Sequence, residues 1–306
     1  MSPTRPAVTH VYHHHTLDST RWNHFTPRPD DIVIATPYKS GTTWMQIIVM
    51  HLIFKDLQIR PVWELSKWLD FRPDLLSDVI NFYEQQDHRR FIKTHLPLDG
   101  LPYFEQVKYI VVGRDVRDVF MSLWNHYYHF TDEVYERVNT DCPSDPFPRC
   151  PTDIRDFWQQ WVSKGWFEWE SEGYPFWSNM RHIQTWWNFK HLPNILFVHF
   201  NDLLSNLEAE IRRIAEFLEI VLTPDLCSKI AEVVTFKAVK ESAEQLLPNL
   251  DGAWKGGAKT FINKGINGRW RDVLSDADLE LYHAAVAREL SPDCAHWLEK
   301  GRHSNP

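Results

Sequence analysis

The stretch Asp31-Ile32-Val33-Ile34-Ala35-Thr36-Pro37-Tyr38-Lys39-Ser40-Gly41-Thr42-Thr43-Trp44-Met45-Gln46 constrains this chain more than any other. Ile32 to Ala35 reads as a buried strand, Pro37 blocks its continuation, and Thr42 to His51 carries apolar residues at helical spacing, so Lys39 to Thr43 fall at a strand-to-helix turn. The free N–H groups of a helix start, and its positive dipole end, point into such a turn. Hydroxyls of Ser40, Thr42 and Thr43 add donors, Gly41 lets the backbone come close, and Lys39 adds a full charge; together they describe a site for a multiply charged anion. The ATP and GTP pattern G-x-x-x-x-G-K-[ST] puts lysine after the glycine, whereas Lys39 precedes Gly41. A relative of the P-loop is predicted, not the triphosphate form itself.

Strands and helices alternate around this turn. Arg90 to His95 reads as a short strand, Lys108–Val112 as another that leads through Gly113-Arg114-Asp115 into a helix over about Val116–Tyr128, and Asn194–Phe200 as a further strand. Leu207, Ile211, Ile214, Ala215 and Leu218 mark the inner stripe of the helix that follows. The order predicts an α/β fold with a central parallel sheet covered by helices on both faces, and ligands then gather at the carboxyl ends of the strands. With 306 residues and no long linker, one domain over 1–306 is expected, with an N-terminal arm over 1–29, a Trp-rich insertion over 131–188 and a closing loop over 247–270 rich in glycine and lysine. Seven of the 15 tryptophans lie between Trp158 and Trp187, which suggests an acceptor-side wall or lid that is also largely core.

Composition narrows the functional classes. No apolar run approaches the roughly 18 residues of a membrane span, so no transmembrane segment is expected. The first 18 residues lack the order of a signal peptide, and His13, His14 and His15 are assigned to an extended arm instead of a metal site. Cys142, Cys150, Cys227 and Cys294 form no C-x-x-C pair, which fits a reducing cytoplasm. A net charge of −8 disfavours broad nucleic-acid binding, so any anion must be met by a local cluster of cations.

Such a cluster is visible. Lys93 and His95, two apart at a strand end, project to the same side as an exposed pair and suit proton abstraction beside an anion. Arg114, with Ser122 two helical turns on, can grip a second phosphate; the alternative is a surface salt bridge from Arg114 to Asp118. A late loop, Phe261-Ile262-Asn263-Lys264-Gly265-Ile266-Asn267-Gly268-Arg269-Trp270, offers a third anion contact and is weak evidence alone.

Together and in this order, these pieces resemble the PAPS-dependent cytosolic-type sulfotransferases. The family's T-Y-P-K-S-G-T-T-W loop appears as Thr36–Trp44 with proline and tyrosine exchanged, its K-x-H-x-P as Lys93–Pro97, its 3′-phosphate arginine and serine as Arg114 and Ser122, and its closing R-K-G-x-x-G-x-W as Asn263–Trp270. The resemblance covers about Asp30 to Tyr282 and is nearest to the bacterial branch of glycolipid sulfotransferases. It implies a P-loop-kinase-like sulfotransferase fold in which PAPS (3′-phosphoadenosine 5′-phosphosulfate) is the donor, PAP (adenosine 3′,5′-bisphosphate) the product, and no metal is required.

By the same resemblance His95 is the general base, Lys39 neutralises the leaving phosphate and Lys93 steadies the sulfonate. Lys39, Ser40, Gly41, Thr42, Thr43, Trp44, Arg114, Ser122, Phe236, Phe261, Asn263, Lys264 and Gly265 hold the nucleotide, with Trp44 on the adenine; for Phe236 core filling is an equal alternative. Trp124, His126 and Trp177 face the acceptor, a small phenol, alcohol, amine or glycolipid. Two departures stand out: Asn263 replaces an arginine, and the family's dimer signature has only a blurred counterpart in Arg271, Ser275, Asp276 and Glu280, so a homodimer is left open. The rival readings are an ATP-dependent kinase, with Asp202 after the last strand as a metal carboxylate, and a non-catalytic nucleotide sensor.

Overall fold

The structure, a computed structural model, describes residues 5–140 and 144–302. Its centre is a four-stranded, all-parallel sheet of β1 (Ile32–Ala35), β2 (Phe91–Thr94), β3 (Lys108–Gly113) and β4 (Ile195–His199), in the order β2-β1-β3-β4. Ala35 pairs with Thr94 and Val111, and Gly113 with His199, so the residues following all four strands emerge at one edge. All four residues of β1 are buried, as its unbroken apolar sequence requires of a central parallel strand.

Alternation along β1 divides the core. Ile32 and Ile34 pack with Phe91, Ile110 and Val198 against the buried helix α1 (Thr42–Phe54) and the helix Leu207–Phe217. Val33 and Ala35 face the other way, with Ile92, Tyr109 and Val111, toward the helix Val116–Tyr128 and an aromatic mass that includes Trp158, Trp161 and Trp186. Each fully buried aliphatic or aromatic side chain of this kind is worth about 1.5–3 kcal/mol.

Two strand ends differ from the sequence reading. Arg90 lies before β2 and turns its guanidinium onto Asp31, with Nε donating to Oδ1 at 2.7 Å and Nη2 to Oδ2 at 2.5 Å, a buried pair that ties β2 to β1. β4 stops at His199, whose Nδ1 accepts from the Asn201 amide at 3.1 Å, because Phe200 already begins a helix. The carboxylate of Asp202, on the same helix, accepts from the Arg302 amide at 3.0 Å. Asp202 is therefore committed to the C-terminal segment, where a kinase's metal carboxylate would have to face the anion.

From residue 5 on, the N-terminal arm is docked on the domain. Tyr12, Leu17 and Trp22 are fully buried in the main core, and His14 and His15 pack on Trp166 and Phe147 while donating through Nε2 to the carbonyls of Pro175 (2.8 Å) and Asp145 (2.6 Å). These histidines serve packing. Ser275 and Asp278 form a capping box that starts the helix Asp276–Glu289, a local use for the segment where the dimer signature was sought. Among the described residues no helix is long and apolar enough to cross a membrane, and no group of three or more His, Cys, Asp or Glu is placed to hold a metal ion. Cys150, Cys227 and Cys294 are free thiols; Cys142 lies outside the described residues.

Candidate active site

At the carboxyl edge of the sheet a cavity of about 480 Å³ opens above β1, β2 and β3. Its floor is the predicted turn. Lys39 and Gly41 both have positive φ, at 63° and 112°, so the chain coils tightly between Pro37 and the start of α1. Gly41 has a second reason to be glycine, since a Cβ there would stand 3.1 Å from the Phe200 ring. The amides of Thr42, Thr43 and Trp44 have no partner within the helix, whose first bond runs from the Met45 amide to the Gly41 carbonyl at 3.0 Å, which leaves these three for an anion. Thr42 holds the turn to the strand end by a 2.5 Å contact between its hydroxyl and that of Thr36.

Four cations line the cavity; Arg137 at its rim is paired with Asp74, and the other three lie deeper. Lys39 crosses the Phe261 ring at 4.4 Å and lies 3.2 Å from His126 Nδ1. Lys93 stands over Trp68 at 4.6 Å. Arg114 is buried, not engaged in a surface pair with Asp118: it lies 4.1 Å over Phe200 and donates to Asn267 Oδ1 at 3.1 and 2.9 Å and to the Ile266 carbonyl at 3.3 Å. Asp118 instead accepts from the Gly268 amide at 2.7 Å. Gathered this closely, Lys93 and Arg114 oppose the charge on Lys39. Burial, then Lys93 and Arg114, lowers the Lys39 ammonium from 10.5 to about 7; burial takes Lys93 to about 8 and Arg114 to about 10.

A pH effect follows. A polyanion bound here needs these ammonium groups charged, so its affinity falls as pH rises through about 7 and then about 8. A phosphate monoester gains its second charge near pH 6, which strengthens binding from below. Calorimetric titrations with PAP as the probe should therefore show an optimum between about pH 6 and 7 and binding at least tenfold weaker at pH 9.

His95 is not the exposed residue expected from its place after a strand: only 2% of it is accessible, between the rings of Tyr38 (4.9 Å) and Trp68 (4.8 Å). Its Nδ1 lies 2.8 Å from the Thr36 carbonyl, which fixes the proton on Nδ1 and leaves the Nε2 lone pair free. Burial, then the charge of Lys93, holds its pKa well below the usual 6.5, so the ring is neutral and able to take a proton. Behind Lys93, the buried Asp70 accepts from Trp22 Nε1 at 2.7 Å, Thr94 Oγ1 at 2.5 Å and Trp68 Nε1, which fixes the strand end and the tryptophan under the lysine.

Most predicted nucleotide contacts line this one cavity: Lys39, Gly41, Thr42, Thr43, Trp44, Arg114, Ser122, Phe236, Phe261, Asn263 and Gly265. Trp44 is held by its Nε1 donating to the Val234 carbonyl at 2.7 Å and lies edge-on to Phe236. Gly265 has φ of 64°, and a Cβ there would fall 2.3 Å from Phe236, so the closing loop can approach that ring only with glycine. Two residues depart from expectation. Ser40 is fully buried with its hydroxyl unpartnered and is absent from the lining, and Lys264 is exposed while its neighbours Asn263 and Gly265 reach the cavity. The third charge of the predicted set is thus turned outward.

The acceptor side needs correction as well. Ser122 and His126, four apart on one helix face, line the cavity; Trp124, between them, packs on Tyr128 and Phe157 instead. Trp177 is buried behind Tyr38 and His95 and does not line the cavity, and from the whole aromatic segment 158–187 only Phe176 does. The apolar wall is made by Trp68, Phe71, Phe130, Val134, Phe147 and Trp254, which sequence reasoning missed because they meet only in three dimensions. An isolated bridge between Phe130 and Trp254 brings the 247–270 segment onto this wall. Tyr38 was flagged only by its exchange with proline; its hydroxyl lies 3.0 Å from His126 Nε2.

Charges held apart from solvent beside a neutral imidazole suit the transfer of a group from a polyanion, and the class defined by this fold and site is that of the transferases. The chain belongs to the sulfotransferases: the sulfotransferase domain family matches residues 29–292. It is 31% identical to a glycolipid sulfotransferase of Mycobacterium tuberculosis over 309 residues, covering 95% of this chain and 94% of the relative. It is 27% identical to rat sulfotransferase 1A1, covering 96% and 97%. Among solved structures, a mouse sulfotransferase complexed with PAP shares the fold with a TM-score of 0.69 and 18% identity, over 92% of each chain.

Proposed function

We propose that this sulfotransferase uses PAPS as donor and a hydroxyl or amine of a small molecule as acceptor, with His95 as general base. The observation that carries this reading is the convergence of Lys39, Lys93, His95, Arg114 and Ser122 on one cavity at the carboxyl edge of the sheet. The residues fit the donor. The coiled turn and the free amides of Thr42, Thr43 and Trp44 suit its 5′-phosphosulfate, Arg114 with Ser122 its 3′-phosphate, and Trp44 with Phe236 its adenine. PAPS supplies a sulfo group on a phosphate leaving group.

In the proposed step, His95 Nε2 takes the proton of the acceptor hydroxyl as the acceptor oxygen bonds to sulfur, and the electron pair of the breaking S–O bond stays with the phosphate. Lys39 meets the charge that develops on that phosphate oxygen, and Lys93 steadies the sulfonate oxygens. Lysines thus provide the positive charge in this scheme, and no metal ion enters it. The wall of Trp68, Phe71, Phe130, Phe147, Phe176 and Trp254 suits an acceptor with a flat or lipid-like apolar body, from phenols to glycolipids.

Asn263 lines the cavity with a buried, unpartnered Nδ2 where the family carries an arginine, so it can give the nucleotide one neutral hydrogen bond. Asn263→Arg should tighten PAP binding by about five- to tenfold, since charge-assisted bonds are roughly twice as strong as neutral ones. Titration calorimetry reads this directly. The function itself is tested by incubating the chain with PAPS and a panel of phenols, alcohols, amines and glycolipids and reading product masses. One added sulfo group on an acceptor, absent with His95→Asn, supports the proposal; no such product from any class rejects it.

A further inference from the structure

Asp70 is fully buried, and its two carboxylate oxygens hold three donors. Oδ1 accepts from Trp68 Nε1, and Oδ2 accepts from Trp22 Nε1 at 2.7 Å and from Thr94 Oγ1 at 2.5 Å. An indole N–H can only donate, and the Thr94 hydroxyl already accepts from the Leu96 amide at 3.0 Å, so all three partners call for a carboxylate and not a carboxyl. Two of the three lead to the proposed chemistry. The face of Trp68 carries the Lys93 ammonium at 4.6 Å, and the same ring meets His95 at 90° with centroids 4.8 Å apart. Thr94 lies between Lys93 and His95 in the chain, and its bond to the Leu96 amide spans His95.

We propose that Asp70 is a positioning residue for the transfer step: through Trp68 it holds the Lys93 ammonium in place, and through Thr94 it fixes the backbone on either side of His95. This rests on the reading of Lys93 as the sulfonate contact and of His95 as the base. Trp68 stands between a negative charge at its N–H and a positive charge on its face. An N–H bound to a carboxylate leaves the ring richer in electron density, which strengthens its hold on a cation. Against burial, which lowers the Lys93 ammonium, Asp70 and then Asp74 favour its charged form. Lys39, His95 and His126 are the other titratable groups around Lys93, and Arg21 and Tyr83 those around Asp70. One buried anion thus supports both the charge that meets the sulfonate and the base that takes the proton.

The test follows Asp70→Asn, Trp68→Phe and Thr94→Val in three readouts: turnover of PAPS with 2-naphthol, calorimetry with PAP, and NMR titration of 13C-methylated lysines, where Lys93 is the signal lost in Lys93→Met. Asp70→Asn should lower kcat by about 10- to 100-fold and leave the dissociation constant for PAP within about twofold, since PAP carries no sulfonate for Lys93 to meet. The Lys93 midpoint should fall by about one pH unit, the direction expected when a nearby negative charge is removed. Trp68→Phe keeps a ring and loses the N–H, so it should reproduce part of both effects, and it carries the test if Asp70→Asn does not fold. Thr94→Val should lower kcat without moving Lys93, and Thr94→Ser should recover it. In a Lys93→Met background the loss from Asp70→Asn should shrink to the part that runs through Thr94. An unmoved Lys93 midpoint in folded Asp70→Asn and Trp68→Phe chains, or a loss from Asp70→Asn undiminished by Lys93→Met, overturns the inference. Ordinary turnover in Lys93→Met itself would instead strike at the reading of Lys93.

Discussion

His95→Asn lowers turnover by about 10²–10⁴-fold and leaves the dissociation constant for PAP nearly unchanged. The asparagine amide can still donate toward the Thr36 carbonyl that now receives His95 Nδ1–H at 2.8 Å, so the strand end keeps its local hydrogen bond. What disappears is the only group here assigned to receive the acceptor's proton. Because His95 is buried between Tyr38 and Trp68, the smaller side chain also loosens their packing, and the melting temperature should be followed alongside. Steady-state rates with a responsive phenol, together with PAP calorimetry, check the split. Ordinary turnover in a folded variant would remove His95 from the base role.

Lys39→Ala damages both binding and turnover. Loss of one charge-assisted contact is worth about 1.5–3 kcal/mol, or roughly 10- to 150-fold in the dissociation constant for PAP. Turnover falls further, since Lys39 is assigned to charge that appears only as the S–O bond breaks. Stability of the donor-free chain moves the other way. A lysine with a folded pKa of about 7 and an ordinary value of 10.5 carries a cost of charging that is fully present below pH 7 and fades as pH rises toward 10.5. Removing it at pH 6.5 relieves Lys93 and Arg114, and alanine suffers the positive φ no more than lysine does. The donor-free melting temperature should hold or rise while PAP-induced stabilisation shrinks, an opposition that a simple packing defect does not produce.

The parts legible in the sequence are those whose geometry is local. An apolar strand, a proline, a lysine and glycine turn and an apolar helix leave few arrangements for residues 31–54, and Lys93 with His95 follows from the period of a strand. The acceptor wall was not legible, because Trp68, Phe71, Phe130, Phe147 and Trp254 come from separate segments and meet only through tertiary packing. Aromatic density pointed to the stretch Trp158–Trp187, yet large apolar side chains are also what a core requires, and Trp158, Trp161 and Trp186 went there. Trp124 was misassigned against a rule the sequence did contain: residues two apart on a helix face opposite ways, so it could not share a face with Ser122 and His126. The outward turn of Lys264 depends on the positive φ of Gly265 and its contact with Phe236, which composition does not encode.

Arg114 is held by Asn267 and Ile266 from the closing loop, and Asn267 in turn donates to Asn201 after β4. In the proposed scheme the residue assigned to the 3′-phosphate is thus held jointly by two strand ends and a late loop, which ties the 247–270 segment to nucleotide binding.

The central claim is that fixed lysines, an arginine and helix amides recognise a doubly phosphorylated adenosine without a divalent ion. Titrating PAP into the chain in buffer with EDTA at pH 7 tests it most directly. The account predicts saturable one-to-one heat that is strongly reduced in Lys39→Ala; no heat, or heat that appears only after a divalent ion is added, contradicts it.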